Sequence, residues 1–278
     1  MADSLNDSKT MSGESAEGVR WWGSSPLPEG KIHCLSLGPL NLYSEKLENE
    51  WRIGLLRGTD PLESAVTTAH FSAGDLPANI PWERFAGGQL DSPLFISPAL
   101  ADRPVVSRPT NAYYLPSTES VTFFIGTPVW VKVMTAKGNV LKDFPVFRPS
   151  DTWFGPTTDQ GQLCYASRTF CNVDLASVPY RPHRAVTSVT IKNKSPETIP
   201  IEKIKLPVGN LSLYIGPGNR IWTQDITYEI VEKERVIQLR LSDNPPALAP
   251  DSEFLSKGRE PSGGNLLVQA ISYFFPEM

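Results

Sequence analysis

Between Arg148 and Arg184 the chain concentrates the side chains that bind polar ligands. Arg148, Asp151, Trp153, Arg168, Arg181 and His183 are the candidate binding residues of that stretch. Arginine offers a planar fork matched to carboxylate or phosphate, and an exposed aromatic offers a stacking surface. The same residues also read as structure. Arg-Pro followed by Ser/Thr and Asn/Asp is turn chemistry, because the residue before proline is extended and an Asx side chain closes the next turn. On that reading Asp151 closes a turn after Pro149, and Trp153 is buried beside it and pins the loop to a sheet.

A near-copy of the segment favours the structural reading. Residues 108–120 read RPTNAYYLPSTES and residues 148–160 read RPSDTWFGPTTDQ, a spacing of 40 residues. The Arg, both Pro and one Thr are identical, and Tyr113 and Tyr114 answer Trp153 and Phe154. Both copies keep turn formers and an aromatic pair. Two copies are too few for a solenoid, so they predict a pseudo-symmetric pair of loops within one architecture.

No catalytic residue is assigned. There is no G-x-S-x-G elbow and no S-x-x-K, and the histidines are His33, His70 and His183. His183 sits in Arg181-Pro-His-Arg184 and reads as an exposed connector. No spacing singles out a carboxylate pair among the 30 acids. Gly216-Pro-Gly-Asn219 is a hairpin turn, lacking the lysine and helix of a phosphate loop. No metal or cofactor is expected, because Cys164, Cys171 and His183 have no ligand spacing and His33-Cys34 is too tight. Trp21, Trp22, Trp82 and Trp222 could stack on a sugar if exposed, but large aromatics in a β chain more often cover a core.

Composition narrows the partners. The 278 residues carry a net charge of −4, so no broad positive field points to nucleic acid. No stretch approaches the ~20 apolar residues that span a bilayer. Residues 1–18 are small, polar and acidic, with no apolar signal core, and are expected to be disordered. Three cysteines without a secretory signal predict reduced thiols and a cytoplasmic location. Were Gln162–Leu175 one strand, Cys164 and Cys171 would point to opposite faces, too far apart to pair.

The elements that must position these residues are short strands. The 26 prolines and 20 glycines leave no room for long helices. Period-2 runs fall at 31–37 and 50–57, read as a first antiparallel pair, then at 121–125 and 129–134, joined through Gly126-Thr-Pro128. Others cover 140–147, 162–175, 185–192, 199–206, 211–215, 226–230, 237–241 and 265–275. Two weak helical candidates lie at 62–69 and 251–257. Turn signals every 8–12 residues predict an all-β chain of antiparallel sandwiches, in two packed sandwich-like halves. The expected organisation is a tail at 1–18, a β-rich region with the repeat at 19–180, and a sandwich-like module at 181–278, whose strands could share one core.

Arg148-Pro-Ser-Asp-Thr-Trp-Phe-Gly155, Leu163-Cys-Tyr-Ala-Ser-Arg-Thr169, Pro182-His-Arg-Ala185 and Leu206-Pro-Val208 with Leu211-Ser-Leu-Tyr214 resemble an uncharacterised prokaryotic family. So do Gly38-Pro-Leu40, Glu50-Trp-Arg52 and Thr127-Pro-Val-Trp130. The family is the four-hundred-thirty-second in a series of domains of unknown function, and the likeness covers roughly residues 30–275. It implies no activity, and it implies an accessory role beside a membrane channel. The leading expectation is a non-enzymatic module whose partner is another protein, bound at edge strands, with a second copy of the chain as a further possibility. The alternatives are a small-ligand or carbohydrate-binding sandwich using the Arg148–Arg184 face, and a hydrolase.

Overall fold

The computed structural model describes residues 19–261, apart from 26, 28, 29, 87–92, 156, 158, 168, 170 and 232–235, together with the backbone of 266–268. The 1–18 tail and most of the 265–275 run lie outside the described residues.

Among the described residues no helix exceeds a single 3₁₀ turn, and none is long and apolar enough to cross a membrane. The chain is all-β. Its strands are β1 (Gly23–Ser25), β2 (Ile32–Leu37), β3 (Leu40–Lys46), β4 (Glu50–Arg57), β5 (Val66–Phe71), β6 (Trp82–Ala86), β7 (Leu94–Ala99) and β8 (Val105–Ser107). Next come β9 (Tyr113–Leu115), β10 (Ser120–Pro128), β11 (Trp130–Met134), β12 (Val140–Pro145), β13 (Asp151–Phe154), β14 (Gln162–Ala166) and β15 (Arg184–Asn193). The series ends with β16 (Ile199–Ile201), β17 (Ile204–Leu206), β18 (Leu213–Ile215), β19 (Ile221–Thr223), β20 (Ile226–Val231), β21 (Val236–Leu241), β22 (Glu253–Ser256) and β23 (Leu266–Val268).

The first sheet is an antiparallel meander in the order β5-β2-β3-β4-β6. Alternation explains both of its faces. Leu35, Leu37, Leu40, Leu42, Trp51 and Ile53 join the main core, while Ile32, Cys34 and Tyr43 pack under Ile80 on the other side. Gly54 makes room for that cover, since a Cβ there would stand 2.2 Å from Ile80 Cγ2. The expected pair of 31–37 with 50–57 is corrected, because β3 lies between them and pairs with both.

β15 organises the rest. It pairs antiparallel with β10 over their whole length, and on its other side it meets β19 and then β20, both parallel. Gly126-Thr-Pro128 is therefore not a break but the end of β10, whose Thr127 Oγ1 shares a hydrogen bond of 2.7 Å with Thr187 Oγ1. Sheets of order β1-β7-β11-β12 and β13-β14-β8-β17, with the pair β16-β9, complete the architecture. Strands from either side of residue 180 share sheets: β8 with β17, β9 with β16 and β10 with β15. One apolar cluster extends from Trp21 to Leu239.

Both helical candidates are strands. β5 adds to β2 residue for residue, from Leu37↔Val66 to Ile32↔Phe71, and β22 adds to β18. In each case an available strand edge outweighs a weak local helical preference. The long 162–175 strand is also corrected. It stops at Ala166, where Ser167 and Thr169 turn the chain by bonding each other's hydroxyls and the Thr169 N–H.

Candidate functional site

β13 is four residues long and ends its sheet, with no strand paired on its outer side among the described residues. Its register with β14 sets Asp151 opposite Tyr165, Thr152 opposite Cys164, Trp153 opposite Leu163 and Phe154 opposite Gln162. Alternation then separates the two faces. Phe154 and Cys164 are buried at 2% and 0% exposure, while Trp153 and Leu163 stand out at 43% and 42%. The two exposed residues form one apolar cross-strand pair at a sheet edge.

Trp153 does not move freely. Its indole Nε1–H donates to the Thr157 carbonyl at 2.8 Å. The ring lies against Gly161, where a Cβ would come within 2.6 Å of Nε1. The β13–β14 connection thus holds the indole in place while leaving it half in solvent. This corrects the expectation of a buried Trp153: the strand's period turns Phe154, not Trp153, toward the core.

Asp151 is also corrected. It is the first residue of β13 rather than a turn closer, and its carboxylate lies between two guanidiniums, Arg148 Nη2 at 3.4 Å and Arg103 Nη1 at 3.4 Å. All three side chains are well exposed, so the pairs fix geometry more than they add stability. Arg103 also stands over the Tyr165 ring, 5.4 Å from its centre, and the Tyr165 hydroxyl donates to Asp102 at 3.1 Å. Burial, then that hydrogen bond to Asp102, raises the Tyr165 pKa. Sequence reasoning passed over Arg103 and Leu163 as contacts. Arg103 stands in Asp102-Arg103-Pro104, just ahead of the 108–120 copy.

The other candidates sit elsewhere. His183 is 3% exposed, which corrects the exposed-connector reading. Local contacts lock it in: Val129 N–H donates to its carbonyl, the Trp21 indole donates to Pro182 O at 2.9 Å, and Gly38, at φ +52°, lets the imidazole approach the backbone. Both ring nitrogens are buried, and the Pro61 backbone is the polar group that faces the ring. Burial, with Arg184 and Arg181 adding to it, pulls the His183 pKa down to about 4, against the opposing Pro61 backbone and Glu63. Arg181 donates to the Leu62 carbonyl. Arg168 lies outside the described residues. The structure therefore gathers Arg148, Asp151 and Trp153 on one edge and places Arg181 and His183 at a separate junction.

The repeat copies share a local strand but not its burial. β9 pairs with β16 and β13 pairs with β14. In the first copy Tyr114 is 72% exposed, whereas its counterpart Phe154 is in the core. Trp21, Trp22 and Trp222 are buried, so they form no sugar-stacking platform. Cys34, Cys164 and Cys171 are buried free thiols, and among the described residues no group of three His, Cys, Asp or Glu could hold a metal ion.

Comparison with protein-family models matches residues 21–275 to DUF432, described as a protein of unknown function. No curated protein matches the chain. No solved structure matches it either.

Proposed function

The chain belongs to the DUF432 family, and from that footing we propose that it is a non-enzymatic interaction module of the cytoplasm that binds an extended segment of another protein along β13. The observation that carries this reading is the exposed Trp153–Leu163 pair on a terminal strand. An unpaired edge offers backbone N–H and C=O groups to an incoming strand, and pockets for alternate side chains give selectivity. A held aromatic is the usual anchor of such a contact, with truncation costs of about 2 kcal/mol or more. Beside it two guanidiniums, Arg103 and Arg148, are balanced by two carboxylates, Asp102 and Asp151. The fitting partner strand therefore carries an apolar residue for Trp153.

An accessory role beside a larger assembly, including a membrane channel, is compatible with this mode of binding. The test is affinity capture from native lysate with the full chain and with Trp153→Glu, read by mass spectrometry, with melting curves to show both are folded. The expected result is a specific protein lost from the variant. An unchanged set of captured proteins would overturn the reading.

A further inference from the structure

Two histidines meet on the first sheet, apart from the sheet of β13 and independently of any binding there. The antiparallel register of β2 and β5 sets His33 directly opposite His70, so their side chains leave the sheet on one face. The rings stand 5.3 Å apart, centre to centre, and are tilted by 57°. His33 is 6% exposed, whereas His70 belongs to the exposed run of β5. One ring is thus fixed by packing, and the other is open to solvent.

The fixed ring is also oriented. Its Nδ1 shares a hydrogen bond of 3.2 Å with the Ser25 hydroxyl. With the proton on Nδ1 and donated to Ser25, Nε2 carries the free lone pair. Metal-bound histidines are braced in this way, the second ring nitrogen tied to a neighbouring acceptor. The ring spacing fits a shared ion. A zinc ion stands about 2.0–2.1 Å from an imidazole nitrogen and so about 3.2 Å from the ring centre. Two such arms spanning 5.3 Å enclose about 110° at the metal, the angle between two ligands of a tetrahedron.

We propose that His33 and His70 form a two-imidazole site for a divalent ion of the zinc and copper class. Imidazole suits these ions, whereas magnesium and calcium take oxygen ligands. Two protein ligands are fewer than the three or four of a dedicated zinc site, so water completes the shell and the ion exchanges through the His70 side. The ion would clamp β5 to β2. β5 ends its sheet and exposes every residue from Thr67 to His70, which confines its apolar packing to Val66 and Phe71 at its two ends.

The experiment titrates the full chain at neutral pH with zinc alone, read by calorimetry, and with copper(II) alone, read by electron paramagnetic resonance. Copper should bind more tightly than zinc, and its spectrum should carry the splitting of two imidazole nitrogens. His70→Ala, at an exposed position, should keep the metal-free melting curve and weaken zinc binding by about tenfold or more, the loss of one of two ligands. His33→Gln should do the same, and His70→Ala keeps the test decisive if that buried variant fails to fold. Zinc should raise the melting temperature of the wild type and not of His70→Ala, because an ion held only by the native state stabilises it. No zinc binding, equal affinity in wild type and His70→Ala, a copper spectrum showing a single nitrogen, or magnesium binding as tightly as zinc would each overturn the assignment.

Discussion

Acid should unfold this protein partly through one buried imidazole. The His183 pKa falls from 6.5 to about 4 in the folded state, chiefly through burial. The folded value lies below the unfolded one, so the unfolded chain takes up a proton that the native state refuses. The stability contributed by neutral His183 is present above about pH 6.5 and is lost as pH falls toward about pH 4. At about 1.4 kcal/mol per pKa unit, the loss is on the order of 3 kcal/mol. Other groups titrate in the same window; His33 is also held low, by burial and then by His70. The remedy is a difference measurement. Urea unfolding of wild type and His183→Gln is followed from about pH 7.5 to about pH 4, and the stability gap between them is plotted against pH. Any wild-type advantage should shrink by about 3 kcal/mol on acidification. A gap that stays constant would mean that His183 is either solvated or already charged in the native protein, and would refute the reasoning.

Phe154→Ala should cost about 3–5 kcal/mol, because it empties a fully buried site, whereas Trp153→Ala, from a half-exposed site, should cost far less; thermal melts of the two variants decide. Gly54→Ala should destabilise by about 1–3 kcal/mol through overpacking against Ile80, read by denaturant midpoint, and an unchanged midpoint would mean that the 72–81 cover is loose. Cys171 has its pKa raised to about 11 by burial; with Cys34 and Cys164 also raised, all three thiols should resist a thiol-specific reagent at neutral pH until the chain is unfolded, and rapid native labelling would contradict this.

Much of the fold was legible because antiparallel strands carry their own period. Ile226, Tyr228 and Ile230 alternate with polar neighbours and form β20, and Val236–Leu241 forms β21 opposite it. β4 follows its 50–57 run residue for residue. What failed depended on partners distant in sequence. Leu40–Lys46 holds a plain alternation, yet its Gly38-Pro39 start draws the eye to a turn. Val66–Phe71 has little apolar period of its own and is a strand because β2 offers an edge. The candidate site divides in the same way. That Arg148, Asp151 and Trp153 lie together follows from their nearness in sequence. Which aromatic of the Trp153-Phe154 pair faces water is set by register with β14, and a shift of one residue would exchange them. His183 looked like a surface residue because its neighbours in sequence are polar, while its neighbours in space are Gly38 and Val129. The adjacency of Ala185 and Ile221 arises from a parallel pairing that no local pattern announces.

The most direct test of edge-strand recognition is hydrogen exchange by mass spectrometry on the full chain, alone and bound to the protein that it captures. If β13 accepts an incoming strand, the amides of residues 151–154 gain protection on binding while those of the β2–β3–β4 meander do not change. Protection that leaves 151–154 unaltered and appears at another edge would contradict the account.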